Sequence, residues 1–169
     1  MKLNRGEMQV YQTKLKGVKL IFLDVFKDHR GKYTELFNEE WFVESVADIA
    51  FVQDDVSVSK KNVLRGIHGD TETWKLISCP YGTIYLVIVA VKKRVWQSFN
   101  LCENFQVLVP PGDGVAHLVL SDWAVFHYKQ STYYHPEKQF SYRYDDPRFN
   151  IWWPINTPIL SERDEKGGN

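Results

Sequence analysis

Apolar and polar positions along this chain alternate in short runs separated by turn residues. VKLIFLDVF at 18–26 is closed by the turn-like KDHRG, and KYTELF follows at 32–37. FVQDDVSVS at 51–59 alternates after its first residues. NVLRGIH (62–68), WKLISC (74–79), FQVLVP (105–110), VAHLVLS (115–121) and WAVFHYKQ (123–130) continue the series. Neighbouring residues of a strand face opposite sides, so these runs predict half-buried β-strands. TIYLVIVAV (83–91), after a PYG turn, is apolar without alternation. It predicts a strand buried on both faces, between two sheets or against a second subunit. NEEWFVESV (38–46) has helical spacing at Trp41, Phe42 and Val46, acidic residues in its first turn, and Asn38 as a cap.

Many short strands, regular punctuation and a single clear helix predict an all-β antiparallel sandwich or jelly roll with one or two short helices. The stretch FSYRYDDPRFNIWWP reads as irregular and aromatic, and PILSERD as the end of the ordered part. There is no internal repeat, linker or low-complexity segment. One domain over 1–169 is expected, with 1–17 an N-terminal segment and 165–169 a frayed tail.

Composition narrows the function. Aromatic residues make up 15% of the 169 positions, which suits pleated, half-buried surfaces. Lys and Arg balance Asp and Glu at 21 each. A general nucleic-acid or anionic-membrane binder would carry a basic excess, so neither partner is expected. Cys79 and Cys102 form no CxxC pair and read as reduced thiols. The polar start MKLNRGEMQVYQTKLKG lacks an apolar signal core, and no apolar run reaches the roughly 18 residues of a membrane span. A cytoplasmic protein is expected.

Candidate chemistry gathers around NVLRGIHGD at 62–70. Glycine weakens a strand interior and often marks a bulge or a close approach by a ligand. Regular parity would separate Arg65 from His68; a bulge at Gly66 would turn both into one cavity. Parity also places Ala124, Phe126 and Tyr128 on one face, and Val115, His117 and Val119 on one face of the preceding strand. On parity alone Tyr128 and His117 read first as a core tyrosine and a hydrogen-bonded core histidine, with a place in a cavity wall as the alternative. Five histidines are present, His29, His68, His117, His127 and His135, but Gly69 and Asp70 follow His68 where a metal-binding barrel would pair it with a second ligand. No metal site is expected.

Six phrases in order resemble one family: DHRGKYTELF, FVQDDVSVSKKNVLRGIH, VAHLVLS, FHYKQSTYYHPE, YDDPRFNIWWP and LSERD. Together, over about residues 18–164, they look like the nucleotide-sugar epimerases typified by dTDP-4-dehydrorhamnose 3,5-epimerase. The resemblance implies a cupin-type jelly roll, a homodimer, and no metal or organic cofactor. It implies proton abstraction beside the carbonyl of a 4-keto sugar, then reprotonation from the other face. His68 falls on the base, Asp164 on the carboxylate that orients it, Tyr128 on the acid, and Lys75 near the substrate oxygen. Arg65, His117, Arg30, Glu35 and Gln53 match binding positions. The segment carrying Arg30 and Glu35 is expected to reach the neighbouring subunit's site.

The chain also departs from that pattern. LRGLHFQ becomes LRGIHGD, so Gly69 and Asp70 are expected to reshape the floor beside the base. Leu86 replaces an aspartate, PPGDGVAHLVL is longer by one residue than the usual phrase, and Asp55 stands where asparagine is common. RGIHGD and CPYGTIYLVIV resemble the branch acting on GDP-4-keto-heptoses in capsule synthesis. The alternatives are a 3,4-ketoisomerase on a similar substrate and a sugar-nucleotide-binding jelly roll without activity.

Overall fold

A computed structural model describes residues 8–168 of the chain. Its strands are β1 (Gln9–Gln12), β2 (Lys19–Phe22), β3 (Val25–Asp28), β4 (Gly31–Thr34), β5 (Gln53–Lys60), β6 (Leu64–Asp70), β7 (Lys75–Tyr81), β8 (Ile84–Ala90), β9 (Val95–Leu101), β10 (Phe105–Val109), β11 (Gly114–Val119), β12 (Trp123–Gln130) and β13 (Gln139–Ser141). The helices are α1 (Glu39–Ser45) and α2 (Glu162–Lys166). Among the described residues, no helix is long and apolar enough to cross a membrane.

The strands form a sheet ordered β1-β2-β10-β7-β12-β5, a sheet ordered β13-β6-β11-β8-β9, and the small β3–β4 hairpin. Their ladders are antiparallel. From β5 to β8, and again from β9 to β13, each strand crosses to the opposite sheet from the one before it. Every crossing lays a further strand over the gap, which builds a two-sheet jelly roll of cupin type.

Alternation fills that gap. Ile77, Val107, Val109, Ala124 and Phe126 of the first sheet meet Ile84, Leu86, Ile88, Val115 and Val119 of the second. Burying each Leu, Ile, Val or Phe side chain is worth about 1.5–3 kcal/mol against exposure, so this layer dominates the fold's stability. The first sheet is covered outside by α1, whose Phe42 packs on Ile21, Leu76 and Leu108. Asn38 starts that helix by accepting a hydrogen bond from the Trp41 backbone N–H at 3.1 Å.

The all-apolar β8 is buried on both faces, as its sequence requires. Ile84, Leu86 and Ile88 face the gap. Tyr85, Val87 and Val89 face outward under Phe149, Tyr142, Ile151, Trp153 and Leu160. Within the chain, the aromatic C-terminal stretch that reads as irregular is what covers this face.

Several elements differ from the sequence reading. The run 18–26 breaks into β2 and β3, and the strand expected over 32–37 stops at Thr34. β1, β9 and β13 were not expected, while α2 is the second of the one or two short helices expected, at a position the sequence did not mark. β9 is a half-exposed edge strand with polar residues on both faces, so its alternation is weak. The tail is ordered beyond Asp164: Glu165 and Lys166 belong to α2, and Gly168 N–H donates to Ser141 O at 3.2 Å. Of the two terminal segments, residues 1–7 and Asn169 lie outside the described residues.

Candidate active site

The strand β6 carries the bulge its glycine announced. His68 lies opposite Val115 and Arg65 opposite His117, so three steps on β6 match two on β11. One extra residue therefore sits between Arg65 and His68, and both side chains reach the same face. Gly66 makes this feasible. Its φ is +109°, and a Cβ there would meet the backbone oxygen of Val115 and lie 2.8 Å from Ala116 Cα.

His68 Nε2 lies 2.7 Å from Asp164 Oδ1, off the axis of a well-formed ring hydrogen bond. Asp164 is brought there by α2. Ser161 caps that helix, and its hydroxyl donates to Asp164 Oδ2 at 2.7 Å. The Gly66 backbone N–H donates to Oδ1 at 3.2 Å. Burial alone would raise the carboxyl's pKa. The imidazole, the Ser161 hydroxyl and the Gly66 N–H together outweigh burial and hold it below the usual carboxylate range. A charged carboxylate thus faces one ring nitrogen of His68, leaving Nδ1 for a substrate.

Tyr128 comes from the opposite sheet. On β12 it faces inward with Phe126, as parity predicts, and lines the same cavity as His68. Burial, then the neighbouring Asp55 carboxylate, pushes its phenol up to about 12, so it stays protonated at neutral pH. Lys75, two rungs along on β7, has its Nζ 5.7 Å from the centre of the Tyr128 ring. Burial lowers the lysine's pKa, while Asp70 and Asp55 oppose the shift.

His117 is 3% exposed and stacks on Phe126, with ring centres 4.0 Å apart and planes 13° from parallel. Its Nε2 is buried without a hydrogen-bond partner among the described residues. Burial, reinforced by the charges of Arg65 and His68, depresses its pKa to about 3. Leu86 is the direct cross-strand neighbour of His117 and is fully buried in the apolar layer. His117 is consequently a neutral ring.

These groups share one cavity of about 320 Å³, lined also by Asp55, Ser57, Ser161 and Arg163. That lies near the lower end of ligand pockets and suits a sugar ring. Of the residues singled out from sequence, the chain brings His68, Asp164, Tyr128, Lys75, Arg65 and His117 together. Gln53 stands behind the wall: its amide donates to Asp55 at 2.9 Å, and its oxygen accepts from the Tyr134 N–H. Arg30 lies in the β3–β4 turn, paired with Asp28, and Glu35 accepts from Asn38 at 3.0 Å. Neither lines this cavity. His127 points to the outer face and meets Asp54 at 3.0 Å, while His29 and His135 lie elsewhere. Among the described residues no group of three or more His, Cys, Asp or Glu is placed to hold a metal ion.

Ser57, Ser161 and Arg163 escaped the sequence reading. Ser57 was legible, since it shares the inward parity of Asp55. Arg163 and Ser161 enter only because a single helical turn folds them over the cavity.

Gly69 and Asp70, expected to lie in the cavity floor, do not line the cavity. A Cβ on Gly69 would strike the ring of Phe140, which occupies that space from β13. Asp70 is 3% exposed and turns to the adjoining loop. It accepts from the Glu72 and Thr73 N–H groups at 2.7 and 2.9 Å and from the Gln139 amide. The two residues are matched to their partners on β13, and neither lines the cavity.

Known proteins carry the same architecture. A profile of the family described as dTDP-4-dehydrorhamnose 3,5-epimerase matches residues 12–169. The enzyme of that name from Shigella flexneri is 36% identical over 171 residues, covering 95% of this chain and 94% of its own. The one from Neisseria gonorrhoeae is also 36% identical; the match covers 95% of this chain but 52% of that longer relative. The crystal structure of a dTDP-6-deoxy-D-glucose-3,5-epimerase from Legionella pneumophila, in complex with dTDP-4-keto-L-rhamnose, superposes with a TM-score of 0.88. It is 32% identical, covering 95% of this chain and 92% of that one. With the matching profile spanning nearly the whole chain, this protein belongs to the dTDP-4-dehydrorhamnose 3,5-epimerase family.

Proposed function

We propose that the protein inverts C3, and C5 where the ring can turn, of a nucleotide-linked 4-keto sugar. His68 removes the proton beside the carbonyl and becomes imidazolium, which the Asp164 carboxylate stabilises. The electron pair passes to the carbonyl oxygen as an enolate, whose charge Lys75 meets. Tyr128 then gives its phenolic proton to the other face of the same carbon. The imidazolium proton and the phenolate are restored by exchange with water, so the reaction consumes no redox equivalent and calls for no cofactor. Arg65 suits the diphosphate, since a guanidinium can donate paired hydrogen bonds. His117 contributes a neutral hydrogen-bonding ring beside it.

The observation that carries this reading is the arrangement of an imidazole–carboxylate pair and a protonated phenol on opposite walls of one cavity. Removal from one face and return to the other needs that opposition. The reading extends to a cytoplasmic homodimer in which the β3–β4 turn of each subunit completes its neighbour's site. Its support is the position of Arg30, whose side chain is 79% exposed outside its own subunit's cavity.

The finer substrate reading is a GDP-4-keto-heptose or related 4-keto-6-deoxy sugar. It rests on the phrases RGIHGD and CPYGTIYLVIV. The test is to supply GDP- and dTDP-linked 4-keto sugars side by side and follow ring protons by NMR. Inversion at C3 with the GDP substrate preferred supports it. Preference for dTDP overturns the nucleotide, carbonyl migration marks a ketoisomerase, and binding without turnover marks an inactive member.

A further inference from the structure

The cavity wall that carries Tyr128 also carries a carboxylate the mechanism above leaves without a task. Cross-strand register puts Gln53, Gln130 and Lys75 in one row across β5, β12 and β7, and Asp55, Tyr128 and Ile77 in the next inward-facing row. Asp55 and Tyr128 are thus direct neighbours, and both line the cavity. The carboxylate is fixed. Its Oδ2 accepts from the Gln130 amide at 2.7 Å and the Gln53 amide at 2.9 Å. Gln130 is 3% exposed, and Gln53 is anchored in turn by the Tyr134 backbone N–H at 3.0 Å. With Oδ2 occupied, Oδ1 remains for the phenol.

Chemistry at this point distinguishes aspartate from asparagine. A carboxylate can accept from two amides and still accept from a phenol. An asparagine whose oxygen faced the two amides would turn its NH₂ toward Tyr128. The phenol would then become an acceptor and lose the group that receives its hydrogen. Other charged or titratable groups around the cavity are Lys75 on β7, Arg65 and His68 on β6, His117 on β11, and Arg163 and Asp164 near the C-terminus. Tyr134 beyond β12 and Asp70 also act on these groups.

We infer that Asp55 is a positioning residue for Tyr128: a carboxylate held by two amides that takes the phenol's hydrogen bond and keeps that proton in place until the enolate needs it. The inference rests on the proposed epimerase reading for its purpose, but its geometry stands without it. Asp55 also helps Lys75 keep its charge, so one group would serve both the acid and the enolate's counter-charge.

The test uses Asp55→Asn in the full-length protein, with Tyr128 ionisation read from tyrosinate absorbance as the difference from the matching Tyr128→Phe variant. Removing the negative charge is expected to lower the Tyr128 midpoint by about one pH unit or more. The alkaline limb of kcat should move in the same direction, and kcat at neutral pH should fall about tenfold with KM changed less. Asp55→Glu, which keeps the charge, should restore part of the shift. Should Asp55→Asn fail to fold, Asp55→Ser, which also removes the charge, should lower the midpoint in the same direction. An unmoved Tyr128 midpoint in the folded variant overturns the inference. A shifted midpoint in a protein that turns over no 4-keto sugar overturns the epimerase reading and leaves the positioning role intact.

Discussion

The two walls of the cavity each hold a proton-handling group beside a carboxylate, yet they are built in opposite senses. On the five-stranded wall, Asp164 faces His68 from a helix outside the sheet, delivered by a cap and a bulge. On the six-stranded wall, Asp55 faces Tyr128 from the next strand in regular register. A carboxylate beside an imidazole favours the ring that has gained a proton. A carboxylate beside a phenol favours the oxygen that has kept one. In the proposed reaction the first wall takes a proton, and the second holds one until it is returned to the substrate.

Removing the taking group should have the largest effect. His68→Asn is expected to lower kcat by about 10³-fold or more, since general base catalysis is worth about 10²–10⁴. Steady-state kinetics on a 4-keto substrate measures it, and retention of more than a tenth of the activity would break the asymmetry. Tyr128→Phe should lower inversion about 10²-fold, measured as product by NMR, with much less effect on proton removal. Asp164→Asn should cost about 10–10²-fold in kcat, since the carboxylate beside His68 orients the ring rather than reacting itself. An equal loss from Asp164→Asn and His68→Asn would show that the pair acts only as a unit.

Smaller effects concern stability. Gly66→Ala forces a Cβ against the β11 backbone at positive φ, and is expected to cost about 1–3 kcal/mol in denaturant unfolding. His117 sets a pH dependence. Its pKa falls from 6.5 unfolded to about 3 folded, so the unfolded chain binds the extra proton first. Stability is therefore lost as pH falls below about 6.5, down toward the folded value. His117→Asn should flatten that slope of Tm between about pH 6.5 and 4, provided the variant folds.

The difference between the walls also explains what the sequence disclosed. Period-two alternation exposes register directly, so the inward parity of Phe126 and Tyr128 and the double burial of β8 were legible from residue order alone. The bulge was legible because Gly66 is an anomaly within a strand. Asp164 was identified through resemblance, because its approach to His68 depends on a one-turn helix about a hundred residues away. The cover over β8 was not legible, because aromatic residues in FSYRYDDPRFNIWWP follow no period. The fate of Gly69 and Asp70 depends on Phe140 and Gln139 of β13, a strand of three residues too short to announce itself.

The opposition of the walls can be read in a single experiment. Incubating a 4-keto sugar nucleotide in heavy water and following the C3 proton by NMR separates removal from return. Tyr128→Phe should still wash deuterium into C3, largely with the original configuration, while His68→Asn should incorporate none. Undiminished exchange in folded His68→Asn would place the base elsewhere and contradict the account.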